Sequence, residues 1–281
     1  MRMPILQGAC ERRRLRRWSG ALSAAALLTL GAAAQGDAIS WRDVESRIQY
    51  AYYTEDAPAL RNLASALPGD ESHDTLRGYY AALLAWRQAL LASQSASSAA
   101  AAPGSSAAPG SSARPGNSAT AGTAAQLAQR CVSEVDTALA TQADFADALA
   151  LRAVCLEAGG TRTFAGHWAR KDLAKALQLA AHNPRVLLAD AMSDYELPPT
   201  RGGNKERALG KLRRAVAAFE AERSGADPVP GWGAAEAWWL LGCDLLDHGD
   251  ALAARDALEH ALLIAPEFVQ ARRLMARIIS G

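Results

Sequence analysis

The stretch that decides the fold is Trp238–Pro266, WWLLGCDLLDHGDALAARDALEHALLIAP. Trp238, Leu241 and Leu245 recur at helical spacing around Gly242, and beyond Gly249 the residues Ala254, Leu258 and Ala261 do the same. Two amphipathic helices joined by a tight turn follow from that pattern. Gly242 and Ala254 are small where the two helices would approach, and Trp238, Leu241, Leu245 and Leu258 are large enough to fill the space around them. Gly249 stands where the chain reverses, a place that often needs positive φ. Pro266 ends the hairpin, because proline cannot continue a helix but can open the next one.

The order Trp-x2-Leu-Gly-x2-Leu, Gly, Ala-x3-Leu, Ala, Pro resembles the tetratricopeptide repeat, a helical hairpin of about 34 residues. The same frame recurs upstream. Leu149, Ala153, Leu156 and Gly160 match its first helix and Ala169, Leu173 and Ala176 its second, with Arg152 where a leucine is expected and extra residues around 161–165 in the loop. A further unit opens at Pro184 behind Asn183 as N-cap and keeps Leu187 and Ala191, with Asp190 replacing the usual leucine. Its second helix, after Asn204, carries Leu209, Leu212, Ala215, Val216 and Phe219. Cys131, Val135 and Ala138 fit the second helix of a first unit, whose opening helix is the segment 72–93 with Leu76, Tyr79, Tyr80, Leu83, Trp86 and Leu90. Val269 to Ile279 serves as a terminal cap. The resemblance implies an all-α fold of antiparallel helix hairpins stacked as a right-handed superhelical solenoid. Residues 124–281, and more weakly 72–93, also look like a subgroup of exported bacterial repeat proteins, which implies a fold and a compartment but no activity.

Composition agrees with an all-α chain. Half of the 281 residues are hydrophobic, enough for a core, and Ala and Leu, which lose little side-chain freedom in helices, dominate them. Turn signals near 141–144, 159–166, 182–183, 198–204, 225–233, 248–250 and 265–266 divide the region after residue 124 into about eight helices. Residues 95–123 are different: almost only Ala, Ser, Gly, Pro and Thr, without a large apolar side chain. Such a run cannot offset the entropy of ordering, and the expectation is a disordered insertion inside one repeat of a single domain, residues 35–281.

The N-terminus reads as a signal peptide over residues 1–34. A basic run, Arg12–Arg14 with Arg16 and Arg17, precedes an apolar stretch too short for a membrane span, and Ala32–Ala34 offers a cleavage site. Export to the periplasm, or secretion, follows, with no stable membrane insertion after cleavage. Six of the 30 basic residues and one of the 29 acidic ones fall in that segment, leaving 24 basic against 28 acidic and a net charge of −4. Nothing in that balance fits nucleic acid. Cys131 and Cys155 lie about equally far from the turn at 141–144 on successive antiparallel helices; a disulfide in an oxidising compartment and a pair of small buried thiols are the two readings. Cys243 is expected to stay free.

No catalytic residue, metal ligand or cofactor is expected. The five histidines lack ligand spacing, and no nucleophile elbow, phosphate loop or dinucleotide fingerprint occurs. The functional expectation is a non-enzymatic scaffold binding a protein or peptide partner in its concave groove. The alternative is a small-molecule-binding accessory subunit of a transport system. The repeat resemblance implies that first helices line the groove, placing Arg185, Leu188, Met192 and Tyr195 there from one unit and Glu236, Trp239, Cys243 and Leu246 from the last complete unit.

Overall fold

Ser40 starts the first helix by a capping box: its hydroxyl accepts from the Asp43 amide at 3.1 Å, and the Asp43 carboxylate accepts from the Ser40 amide at 3.3 Å. Helix α1, Trp41–Tyr53, buries Val44, Ile48, Ala51, Tyr52 and Tyr53. Asp56 then caps the short α2, Ala57–Leu63, accepting from the Ala59 amide at 2.9 Å. The computed structural model describes residues 39–68, 74–100, 115–159, 165–222 and 230–280, all within one compact unit, Ala38–Gly281. The signal-peptide segment lies outside the described residues, as does the middle of the Ala/Ser/Gly/Pro run.

Four hairpins and a last helix follow. They are α3 Asp74–Ala100 with α4 Pro115–Thr141, α5 Ala146–Ala158 with α6 Ala165–Leu179, α7 Pro184–Glu196 with α8 Lys205–Ala221, and α9 Ala234–Asp247 with α10 Ala251–Ile264, ending in α11 Val269–Ser280. Each helix packs chiefly on its hairpin mate and on the neighbouring unit. Every described element is helical, and the order of antiparallel pairs is that of a tetratricopeptide-like array.

The turns form for local reasons. Asn183 accepts from the amides of Arg185 and Val186 to open α7, and Asn204 accepts from Arg207 at 2.7 Å to open α8. Gly249 adopts φ +82 between α9 and α10, the left-handed region anticipated there. Gly242 lies against α10: a Cβ placed on it would come within 3.0 Å of Leu258 Cγ and 3.2 Å of the Ala254 carbonyl.

Two departures from the repeat pattern are resolved by ion pairs across hairpin seams. Arg152, in the leucine position of α5, donates to Asp172 of α6 twice at 2.7 Å and to Asp136 of α4 at 2.7 Å. Asp190, in the same position of α7, accepts from Lys211 of α8 at 2.7 Å. Helix also reaches further into the low-complexity run than its composition suggested, since α3 continues to Ala100 and α4 begins at Pro115. Ala is the strongest helix former, and the serines of this stretch satisfy themselves on the preceding turn, Ser95 Oγ donating to the Leu91 carbonyl at 2.9 Å and Ser97 Oγ to Ser93 at 3.1 Å.

Candidate functional site

The repeat frame assigns the inner face to the first helices of the hairpins, α3, α5, α7 and α9, and side chains of these helices meet one another and α1. At one end this face is filled. Arg87 of α3, 1% exposed, forms a buried ion pair with Glu236 at the start of α9. Its guanidinium donates to Gln49 Oε1 at 3.1 Å and lies 4.1, 4.5 and 5.0 Å from the ring centroids of Tyr52, Trp86 and Trp232. These contacts offset part of the cost of removing a cation from water. Glu236 also accepts from Tyr53 Oη at 2.6 Å and Gln49 Nε2 at 3.1 Å, so its carboxylate is held from three sides. Trp232 donates its indole N–H to Tyr79 Oη at 2.7 Å, and Glu45 of α1 accepts from the Gly231 amide at 3.0 Å. The first unit and the last are thereby joined through α1.

Beside this cluster Arg185 is also buried. It donates to Asp147 of α5 at 2.8 Å and pairs with Glu222 at the end of α8, while Asn183 donates to the other Asp147 oxygen at 2.7 Å. Leu188 is 1% exposed. Of the residues the repeat frame assigns to the groove, Arg185, Leu188 and Glu236 are thus interior. Their neighbours hold them there; they are not presented to solvent.

The other end of the same face keeps contact with solvent. Met192, Tyr195, Trp239, Cys243 and Leu246 are half-buried, and Glu196 is exposed. Tyr195 Oη donates to Asp247 at 2.9 Å, Lys205 pairs with the same carboxylate, and the lysine ammonium sits 4.6 Å from the Tyr195 ring centroid. Trp239 leans on Phe268, with centroids 5.6 Å apart. Burial, then the neighbouring Asp247 charge, pushes the Cys243 thiol up to about 12, so it stays protonated and unreactive. Glu157 accepts from Ser193 Oγ at 2.7 Å, and burial raises its pKa. This end therefore carries two partly exposed aromatic rings, a flexible thioether and the carboxylates of Glu157 and Glu196.

Cys131 of α4 and Cys155 of α5 are joined by a disulfide with Cα atoms 6.1 Å apart, stitching the first hairpin to the second. Cys243 is free. Among the described residues no group of three His, Cys, Asp or Glu side chains is placed to hold a metal, and no helix is long and apolar enough to cross a membrane.

Arg87, Gln49 and Trp232 were not picked out from sequence. Arg87 had a signal: it follows Leu83 by four residues, so a charge lies on the apolar stripe of its helix. Trp232 had none, because it precedes α9 in a connecting segment.

No protein-family model matches the chain, and no curated protein sequence matches it. Among solved structures, the HusA haemophore from Porphyromonas gingivalis is similar at a TM-score of 0.50 and 20% identity, covering 75% of this chain and 96% of that one. MamA aligns at a TM-score of 0.39 and 16% identity over 61% of this chain and 86% of its own. A tetratricopeptide repeat protein from Parabacteroides merdae aligns at 0.27 and 15% over 85% and 98%. These likenesses concern the path of the chain alone. The hairpin order and the 34-residue frame are those of a tetratricopeptide-like helical repeat architecture.

Proposed function

We propose that this chain is a non-enzymatic periplasmic scaffold that binds a peptide or protein segment at the solvent-accessible end of its inner face. The fold is one that typically mediates protein interactions. The observation that carries the reading is a difference in burial: Met192, Tyr195 and Trp239 keep partial exposure, while Arg185, Leu188 and Glu236 are buried. Trp and Tyr offer large contact area with a polar tip, and Met adapts to irregular partners. Glu157 and Glu196 would accept a basic side chain at the rim. The alternative, a small-molecule-binding subunit of a transport system, calls for an enclosed chamber; here Trp86, Arg87 and Trp232 fill the inner end with side chains. The test is a photo-crosslinking residue at position 195 in cells. A discrete adduct that Trp239→Ala removes, while the variant keeps a cooperative melt, is the expected result. An adduct indifferent to Trp239 sinks the reading.

The periplasmic part rests on the basic and apolar segments of residues 1–34 and on the Cys131–Cys155 disulfide, which suits an oxidising compartment. N-terminal sequencing of the protein from a periplasmic extract should give a chain beginning shortly after Ala34. A chain still starting at Met1 would remove this part of the proposal.

A further inference from the structure

A cleft between α2, α3, α4 and α11 has the make-up of a ligand site. Gln88, Leu91, Ala92 and Ser95 recur at helical spacing on α3 and line a cleft of about 530 Å³, within the size range of small-molecule sites. Arg61 of α2, Leu127 of α4 and Arg273 of α11 line its other sides. Side-chain hydrogen bonds hold two of these helices to α3. Gln88 Nε2 donates to the Leu60 carbonyl of α2 at 3.0 Å, and Gln270 Nε2 of α11 donates to Gln94 Oε1 at 3.2 Å. Leu91 is buried, while Ala92 and Leu127 are half-buried and give the cleft apolar surface.

The charges of the lining select the ligand. Glu55, Arg61 and Arg273 are its ionisable groups, so two guanidinium groups stand against one carboxylate. Glu55 accepts from Arg273 Nη1 at 2.6 Å. Arg61 is exposed and has no hydrogen-bond or ion-pair partner among the described residues. Glu55 itself sits in a Schellman turn that ends α1: its amide donates to the Tyr52 carbonyl at 3.1 Å and the Asp56 amide to Ala51 at 2.8 Å. Its φ of +58 is the left-handed conformation for which such turns ordinarily use glycine. Glycine would serve the turn as well. What the glutamate adds is a carboxylate on Arg273, so the chain already places in this cleft the kind of group its arginines hold.

We propose that this cleft binds a small organic acid. The carboxylate lies on Arg61, whose planar fork matches it, with the remaining N–H groups of Arg273 beside it. The apolar body lies on Leu91, Ala92 and Leu127. Glu55 competes for Arg273 and so tempers the affinity. The surplus positive charge disfavours an amine, and the apolar floor disfavours a hydrated inorganic anion. The cleft shares no residue with the proposed peptide site.

The probe is octanoate, titrated into the full chain by isothermal titration calorimetry, with octan-1-ol and sulfate for comparison. Octanoate should bind saturably at one site, and each comparison compound at least about tenfold more weakly. Arg61→Ala, at an exposed position, and Ala92→Phe, which fills the cleft, should each weaken octanoate at least about tenfold. Glu55→Gly should tighten it at least about threefold by removing a competing negative charge. The melting temperature of that variant should hold or rise, because glycine adopts the left-handed conformation freely. Trp239→Ala should leave octanoate binding unchanged, which keeps this outcome separate from that of the peptide site. Failure of octanoate to bind, or binding indifferent to Arg61→Ala, overturns the proposal. Equal binding of octan-1-ol would reduce the cleft to an apolar groove, and equal binding of sulfate to an adventitious anion contact; either overturns it. So does weaker or unchanged binding in Glu55→Gly, which would remove the carboxylate from beside Arg273.

Discussion

Asp244 shows how one residue can set a pH dependence. It is fully buried on α9, and both its carboxylate oxygens lack a hydrogen-bond partner among the described residues. The one nearby counter-charge in contact is His248, whose Nδ1 lies 3.4 Å from Oδ1 and 2.7 Å from the Asp244 carbonyl oxygen, while its Nε2 lies 3.1 Å from Glu206. The backbone hydrogen bond, then the Asp244 and Glu206 charges, raise the His248 pKa above its ordinary 6.5, and burial raises that of Asp244. Both shifts act with the same sign. A group whose folded-state pKa is raised contributes most below its unfolded pKa and loses that contribution as pH rises through the folded value. The contribution of these two groups to stability should therefore fall as pH rises, beginning above the ordinary value of 3.8 for Asp244 and of 6.5 for His248, and should be read as a declining melting temperature. Asp244→Asn removes the raised acid and its charge on the histidine but keeps the backbone hydrogen bond that contributes most to the His248 shift, so its decline should be shallower without vanishing, with stability at the alkaline end equal to or above that of the unaltered chain. Parallel curves for the two proteins would refute this account.

At the scale of the element, each hairpin depends on how closely its two helices approach. Gly242 is the tightest such contact within the final hairpin, against Leu258 and the Ala254 carbonyl. Glycine lowers helix propensity by about 1 kcal/mol relative to alanine, and only close packing offsets that loss. Gly242→Val should destabilise by about 2 kcal/mol through overpacking, read from the denaturant midpoint, even though valine is the better helix former. A gain in stability would mean that the seam has slack. The middle hairpins solve the same problem with charge. Arg152 with Asp172, and Asp190 with Lys211, replace the leucine contacts of the repeat. The apolar spacing makes these helices legible in the sequence. The pairing of their charged residues is not legible, since a charge on an amphipathic helix is ordinarily solvated.

Within the unit Ala38–Gly281, contacts join the first helices to the last hairpin. Arg87 and Glu236 are 149 positions apart, and Tyr53 and Glu236 183 apart. Removing one member leaves the other charge buried without a partner, a change that costs about 3–5 kcal/mol. Glu236→Leu should fall in that range by chemical denaturation. Arg87→Met combined with Glu236→Leu should recover a large part of the loss, because no unpaired ion then remains. Additive losses in the double variant would show that the two side chains act independently. Through Tyr53, α1 is also seated against Glu236 and Phe268, while Met192, Tyr195 and Trp239 keep partial exposure.

The sequence by itself determined the helices, their turns and the order of hairpins, because helical periodicity, N-caps such as Asn183 and the small residues Gly242 and Ala254 act within one hairpin. It also determined that Cys131 and Cys155 stand at matching heights on neighbouring helices, since their distance from a shared turn is local information. Which groove residues are interior was decided only by the tertiary structure. Arg185, Leu188 and Glu236 fit the frame as well as Met192, Tyr195 and Trp239 do. What separates them is which side chains reach them from other helices: Asp147 and Glu222 for Arg185, Arg87 and Tyr53 for Glu236. These contacts join residues too far apart in the chain for any local pattern to record.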